Sequence, residues 1–566
     1  MRLNGGEAVI ESLRRANAQV AFGIVGSSLL EVFDLLPTAG IKYIGARHEQ
    51  WAAHMADAYV RVRRAPAVCL VQNGPGVTNL VTGFVTAQAA GSPIVGVAGA
   101  VASDQTGRGT YQEVDQLRVM EPACKWVGRA NRPDRIPEII QQAFREAWSP
   151  PTGPTFVDIP RDFLYEIISA HRRGPDVLLG PSVVGTDDNT VNDVGELLIR
   201  SERPVILAGR GVVWARASEA VIGLAEAVSA PIVTSYGHND AVPNGHPLYM
   251  GSLGRGGSQA AMRITAETDL LLALGTRLDS FGFVPYYGFE YFPSSAAIVQ
   301  VDVDASQIGR FYPANVGVVC DVLSFVDALS KIAANRRQSR SRWMERGQQL
   351  KQEWKLDLAK SITPEARPVQ LEAAYAVLDE FVDDQTIVAI DVGSTPSYSY
   401  ARLNYARPGT FLSPLRAGGV GFALPAAIGA KVAEPDSKVI AILGDGAFTM
   451  ELSNLITATE YELPIIGLVF DNAAWGAEKA NQQYYCESRY VGSLLKNPEL
   501  VSVAEALGAR AYLASSTGEL QRALRSAIDE ARSMRSSIIV VPVDPDRYPL
   551  PARRDVLRKP ERGLYS

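Results

Sequence analysis

The sequence predicts an α/β protein built from three doubly wound parallel-sheet domains, and three observations carry that prediction. Short apolar runs recur along the chain, as in Ala67–Gln72 and Leu270–Leu274. Strands buried on both faces read this way because a parallel sheet is covered by helices above and below. The segments between the runs carry helical spacing; Gln50–Val62, for example, places Ala53, Ala56, Tyr59 and Val60 near one side. The alternation pauses twice, at the Gly/Pro/polar stretch Arg161–Asp193 and at the charged, helix-like stretch Ala333–Ala366. Strand–helix alternation in three blocks implies three layered α/β units.

The expected strands follow in order. Val20–Val25, Ile41–Gly45, Ala67–Gln72 and Pro93–Gly99 belong to the first block, over residues 1–170. Pro204–Ala208, Pro231–Ser235, Leu270–Leu274 and Ala297–Val303 belong to the second, over 190–335. Gln385–Ile390, Val439–Leu443, Pro464–Phe470 and Ser537–Val543 belong to the third, over 366–545, with a tail at 546–566. No short repeat is visible. The first and third blocks are candidates for structural duplicates, which sequence alone does not decide.

Composition removes several classes of function. The 566 residues are 47% hydrophobic with a net charge of −6, which excludes a disordered chain. A pI of about 5.6 and the lack of a long basic block argue against nucleic-acid binding. Arg336-Arg337 and Arg553-Arg554 read as solvated surface. Cys69, Cys124, Cys320 and Cys486 are far apart and form no CxxC pair, so neither a zinc site nor a disulfide framework is expected. The N-terminus does not read as a signal peptide, and the apolar runs are too short to span a bilayer. A cytoplasmic, soluble protein without membrane partners is expected. The five histidines leave little room for His-rich metal catalysis.

The most informative segment is Val439–Asn472. A strand ends at Leu443 and Gly444-Asp445-Gly446 follows, placing a carboxylate at the strand's carboxyl end, where open α/β sheets bind ligands. Glycines let backbone N–H groups approach phosphate oxygens, and a helix start favours anions. A second strand delivers Asp471-Asn472 to the same edge. Asp445 and Asn472 are oxygen donors of the kind Mg²⁺ takes alongside phosphates. A Gly-Asp-Gly turn by itself also reads as an ordinary helix cap.

The whole unit, Gly444-Asp445-Gly446, then 25 intervening residues, then Asn472, resembles the thiamine diphosphate motif, and the resemblance covers nearly the entire chain. It implies pyrimidine-binding, central and diphosphate-binding domains in that order. It implies Mg²⁺ held by Asp445, Asn472 and the carbonyl of Ala474, with Asp471 departing from the usual first Asn. It implies Glu49 as the acid that activates the cofactor's aminopyrimidine; by itself Glu49 is also an ordinary first-turn helix acid. The loop Gln72–Asn79 then faces the pyrimidine and substrate, with Gln72 where related decarboxylases often carry His. Val420 becomes the wedge that bends the cofactor and Gly418 the carbonyl for its amino group. Gly393, Ser394, Thr395, Gly444, Gly446, Ala447, Trp475 and Gly476 complete the expected cofactor contacts. A catalytically silent subunit would lack Glu49, Asp445 or Asn472, and all three are present.

Within the family, several stretches are similar to sulfoacetaldehyde acetyltransferases, notably Ser235–Ala241 and Trp475–Lys479. That likeness implies an anionic aldehyde and phosphate as substrates, with Ser27, Arg108, Arg416 and Lys479 as candidate ligands and His48 and Gln112 as helpers in proton transfer. Each of the three cations also reads as an ion-pair residue, and His48 and Gln112 also read as structural. Arg416–Gly429 is closer to benzoylformate decarboxylase and acetolactate synthase, and Gly40–Gly45 to 2-hydroxyacyl-CoA lyases. A 2-oxo acid therefore stays open as substrate. The central block lacks a GxGxxG fingerprint. FAD or ADP occupies this domain in some relatives, and an empty scaffold is the favoured reading here. A homodimer or homotetramer is implied.

Overall fold

The computed structural model describes residues 2–169, 185–283, 291–334 and 339–548. Arg336-Arg337, Arg553-Arg554, part of the first linker and most of the expected tail lie outside these. Three six-stranded sheets organise the chain, and within each every strand pairs in parallel. The first runs Lys42–Gly45, Val20–Gly23, Ala67–Val71, Val95–Ala100, Thr155–Pro160, Trp126–Arg129 from edge to edge. The third runs Phe411–Leu412, Thr386–Ile390, Lys438–Gly444, Ile466–Asp471, Ser537–Pro542, Arg510–Leu513. Numbered by chain order within each domain, both are 2-1-3-4-6-5. The shared order answers the duplication question left by sequence: the first and third domains have one topology.

The central sheet differs. Tyr249–Ser252, Ile232–Thr234, Pro204–Ala208, Leu270–Leu274, Ala297–Asp302 and Val316–Val319 stand in that order, which is 3-2-1-4-5-6. This is the strand order of dinucleotide-binding folds, whose crevice opens where the order reverses.

Helix starts are set locally. Asn4 and Glu7 form a reciprocal capping box at Gly5–Arg15. Pro75 opens the helix Pro75–Ala90 at a position where its missing N–H costs nothing. The helix Glu49–Arg63 is unusual in being buried almost all round, from Glu49 to Val60. It lies against a second small-residue helix, Ala423–Ala433, and one hydrophobic cluster runs from Trp51 and Ala53 through Phe422 and Ala427. The first and third domains therefore share a core, while the central domain keeps its own around Leu272 and Val301.

The approach of these two helices depends on Gly429, where a Cβ would lie 2.1 Å from the Met55 carbonyl oxygen. Backbone cannot give way as a side-chain tip can. Gly429→Ala is expected to cost about 1–3 kcal/mol, the range of an overpacked core, read as a loss of stability in urea. An unchanged midpoint would show that the helices slide freely. Among the described residues no helix is long and apolar enough to cross a membrane.

Candidate active site

Two clusters of side chains sit at the carboxyl ends of the first and third sheets. In the third, Asp445 follows the strand Lys438–Gly444 and begins the helix Asp445–Glu451. Asn472 follows the neighbouring strand Ile466–Asp471. The side-chain oxygen of Asn472 lies 3.0 Å from Asp445 Oδ1 and 3.0 Å from the carbonyl oxygen of Ala474. Three oxygens turned on one another repel, and with nothing between them the amide would turn over to donate its NH₂ to both neighbours. Around a cation they belong together: oxygens at right angles on a hard ion with bonds of about 2.0–2.1 Å stand roughly 2.9 Å apart. The donor set and spacing fit Mg²⁺ on this ground.

The loop is shaped to expose that carbonyl. Ala473 takes a left-handed conformation at φ 50°, sparsely populated for a residue with a Cβ. Ala473 donates its N–H to Asp471 Oδ1, and a short segment farther along clamps the loop: Leu495 N–H donates to the Ala473 carbonyl and Trp475 N–H to that of Ser493. Asn497 closes the arrangement. Its amide donates to Asp445 Oδ2 at 2.6 Å and to Asp471 Oδ1 at 3.0 Å, while Ala474 N–H reaches Asp445 Oδ2 at 3.2 Å. One carboxylate oxygen of Asp445 is thus fixed by donors and the other faces the oxygen cluster. Burial, with the charge of Asp471 adding to it, raises the Asp445 carboxyl above the usual range. A cation would relieve that cost.

The cofactor-side turns converge on the same place. A Cβ on Gly476 would meet Ser394 Oγ at 2.4 Å and Asn472 Nδ2 at 2.7 Å, and one on Gly444 would meet Thr395 Oγ1 at 3.4 Å. Three sheet-end segments, Gly393–Thr395, Gly444–Ala447 and Trp475-Gly476, therefore crowd one cradle. The helix Gly476–Tyr485 starts there, with its N–H groups available to an anion. The Trp475 ring packs over Gly446, where a Cβ would lie 2.7 Å from it.

In the first domain, Glu49 is the first residue of its helix and 7% exposed. Asn79 Nδ2 donates to Glu49 Oε2 at 2.9 Å. His48 is the helix cap, its Nδ1 accepting from Gln50 N–H at 3.1 Å, which is a structural duty. Gln50, next to Glu49, donates to the Val420 carbonyl at 3.2 Å and so ties the helix that Glu49 begins to the Gly418–Val420 segment. Gln72 and Gln112 form one network: Gln72 Nε2 donates to Gln112 Oε1 at 2.8 Å, and Gln72 Oε1 accepts from the Ser28 hydroxyl and N–H, both at 2.9 Å. Gln112 holds φ 60°, a strained value for glutamine.

Family models complete the picture. The N-terminal TPP-binding domain of thiamine pyrophosphate enzymes matches residues 3–119, the central domain 191–329 and the C-terminal TPP-binding domain 391–541. The chain belongs to the thiamine pyrophosphate enzymes. It is similar to the sulfoacetaldehyde acetyltransferase of Castellaniella defragrans, 34% identical over 99% of this chain and 96% of that one. It is also similar to that of Rhodobacter capsulatus (32%, 99% and 97%) and to a probable acetolactate synthase large subunit of Methanocaldococcus jannaschii (33%, 96% and 93%). These matches make the chain a thiamine-diphosphate-dependent enzyme of transferase or lyase type.

The candidate substrate residues of this thiamine pyrophosphate enzyme scatter. Ser27 is exposed, and it is Ser28 that joins the Gln72 network. Lys479 is buried and its ammonium is taken by Asp546 at 2.8 Å and the Pro545 carbonyl at 2.9 Å. Arg416 pairs loosely with Asp279, at 3.7 Å, on the rim of a different cavity. Arg108 stands exposed with no ion pair among the described residues. That other cavity, of about 240 Å³, opens at the switch point of the central sheet beside Arg210, Thr276, Arg277 and Asp302. Burial, then the neighbouring Arg277, lowers the Arg210 guanidinium to about 9.

Sequence reading missed Asn497, Ser28 and Asn79 as functional partners. Only Asn79 had a signal, since it closes the quoted Gln72–Asn79 loop. Asn497 precedes a proline in a segment without a motif. Asn497→Ala is expected to weaken Mg²⁺ binding by about tenfold, the lower end for residues that orient a metal ligand. Mg²⁺ titration in the presence of thiamine diphosphate, followed by tryptophan fluorescence, measures it. An unaltered midpoint would leave Asn497 without that role.

Proposed function

We propose that this protein is a Mg²⁺-dependent acetyltransferase that converts sulfoacetaldehyde and phosphate into acetyl phosphate and sulfite. The similarity to sulfoacetaldehyde acetyltransferases over the full length of both chains carries the reading. Bound thiamine diphosphate supplies the carbanion that attacks an aldehyde or keto carbon. Asp445, Asn472 and the Ala474 carbonyl would hold the Mg²⁺. Ser394, Thr395, Gly446, Ala447 and Gly476 offer N–H and hydroxyl donors to the diphosphate, and Gly393 and Gly444 give the turns room.

Glu49 would exchange a proton with the cofactor's aminopyrimidine, and Asn79, donating to its carboxylate at 2.9 Å, positions it for that task. Val420 and the Gly418 carbonyl would meet the ring end of the cofactor. Gln112, held by Gln72, presents a neutral amide group near the substrate, and its Nε2 makes no bond among the described residues. Such donors orient an anion's oxygens without adding a group that titrates near neutrality. Arg108 is the cation left to meet sulfonate or phosphate, because Lys479 and Arg416 have other partners. Sites formed between two copies, in a homodimer or homotetramer, fit the family. The expected location is the cytoplasm.

The likeness to acetolactate synthases, 33% identical in one case, keeps 2-oxo acid decarboxylation with ligation to a second carbonyl as the competing reading. The deciding experiment supplies Mg²⁺ and thiamine diphosphate with sulfoacetaldehyde plus phosphate, pyruvate, benzoylformate or a 2-hydroxyacyl-CoA. Each is run with and without FAD or ADP, because the central cavity stands where its fold binds ligands. Sulfite and acetyl phosphate in equal amounts, in the first arm alone, are expected. Carbon dioxide and acetolactate from pyruvate, with no sulfite in the first arm, would replace the acetyltransferase by a synthase.

A further inference from the structure

Two buried carboxyl groups at the heart of the third domain have no place in the reaction described so far. Asp391 directly follows the strand Thr386–Ile390 and is 2% exposed; Glu451 ends the helix that Asp445 begins and is fully buried. Between them they receive four consecutive backbone N–H groups. Asp391 accepts from Gly421 at 3.3 Å, Phe422 at 2.6 Å and Ala423 at 2.9 Å, and also from its own neighbour Val392 at 2.9 Å. Glu451 Oε2 accepts from Leu424 at 2.8 Å. These amides open the helix Ala423–Ala433 and directly follow Gly418–Val420.

The bond count locates a proton. Asp391 takes only N–H donors, four in all, as an ionised carboxylate does. Glu451 Oε1 is buried without a hydrogen-bond donor, and its carboxyl lies within hydrogen-bonding reach of Asp391. Two carboxylates that close, out of water, do not both ionise. A proton on Glu451 Oε1, donated to Asp391, satisfies every atom. Burial first, and Asp391 second, accordingly raise the Glu451 carboxyl well above the usual range.

We propose that Asp391 and protonated Glu451 form a one-proton carboxyl pair that positions Gly418–Val420 relative to the helix bearing Asp445, so that the ring end and the metal end of the cofactor site are set by one hydrogen-bonded unit. This rests on the thiamine diphosphate reading above. Both are positioning residues, since neither is placed against the cofactor. The pair fixes the wedge from below, as Gln50 does from the first domain.

The test compares Glu451→Gln, Glu451→Leu and Asp391→Asn in the full-length protein. Glutamine reproduces protonated glutamate: its NH₂ donates to Asp391 and its oxygen accepts from Leu424. Asparagine at 391 turns an NH₂ toward amide donors. Thiamine diphosphate titrations at saturating Mg²⁺, read by tryptophan fluorescence, should give a Kd raised at least tenfold in Glu451→Leu and Asp391→Asn but less than threefold in Glu451→Gln. Far-UV circular dichroism at the assay temperature identifies variants that are folded. If Glu451→Leu does not fold, the asymmetry between Glu451→Gln and Asp391→Asn carries the result. Equal losses in those two, or the reverse order, would overturn the pair. If the wild type binds no thiamine diphosphate, the cofactor reading fails instead. The pair is then judged by thermal midpoints, where Glu451→Gln must stay closer to wild type than Asp391→Asn.

Discussion

Glu49→Gln is expected to lower kcat by at least about 100-fold, the smaller contribution of a positioned acid–base group, with the Kd for thiamine diphosphate changed by less than about tenfold. The reason is positional. Glu49 starts a helix that is buried almost throughout and cannot shift, and Asn79 holds its carboxylate at 2.9 Å. Glutamine fills the same space and keeps a hydrogen bond, but it exchanges no proton at neutral pH. Steady-state kinetics beside a cofactor titration separate the two effects. Wild-type turnover in the variant would remove Glu49 as activator and return it to the role of an ordinary helix-start acid.

Asp445→Ala is expected to raise the Kd for Mg²⁺ by about 100-fold or more, and to abolish tight thiamine diphosphate binding with it. Asp445 supplies the one full charge among the three converging oxygens. Losing a charge-assisted contact costs about 3 kcal/mol, which is about 100-fold in affinity. Isothermal titration with Mg²⁺ plus thiamine diphosphate reads this directly. Undiminished binding would mean that the cation and the diphosphate sit elsewhere. Asp445→Ala differs from Asn497→Ala in kind: on the proposed reading the first removes a ligand, the second only its support.

Much of this site is legible in the chain because its parts are local. A strand end, a Gly-Asp-Gly turn and the next strand's Asp-Asn lie within 34 residues, and the spacing alone brings Asp445 and Asn472 to neighbouring strand ends. The central strands are equally legible, since Ala67–Val71 or Leu270–Leu274 must be apolar on both faces. Three of the edge strands are not, although the edge strand at Ile41–Gly45 is. Trp126–Arg129 and Arg510–Leu513 carry mixed residues, and Val316–Val319 is apolar but partly exposed. Thr155–Pro160 is wholly buried yet contains Asp158, whose charge is met by Arg129 from 29 residues away. No local pattern announces a charge that a distant partner neutralises.

The same distinction separates the candidate residues that the fold gathers from those it disperses. The cofactor turns come together because each is the carboxyl end of a parallel strand, a place fixed by topology. Lys479 and Arg416 carry long side chains whose partners, Asp546 and Asp279, no spacing rule foretells. Ser27 and Ser28 are adjacent, and only the packing of Gln72 against the second chooses between them.

What the sequence determined by itself is the three-domain parallel architecture and the residues at its strand ends, because burial on two faces and a βαβ connection leave few alternatives. The tertiary structure alone decided which distant groups complete them: Asn497 on Asp445, Asn79 on Glu49, Glu451 on Asp391. Those contacts pair polar atoms that folding removes from water. Their partners are chosen by proximity in space, which the order of residues along the chain does not record.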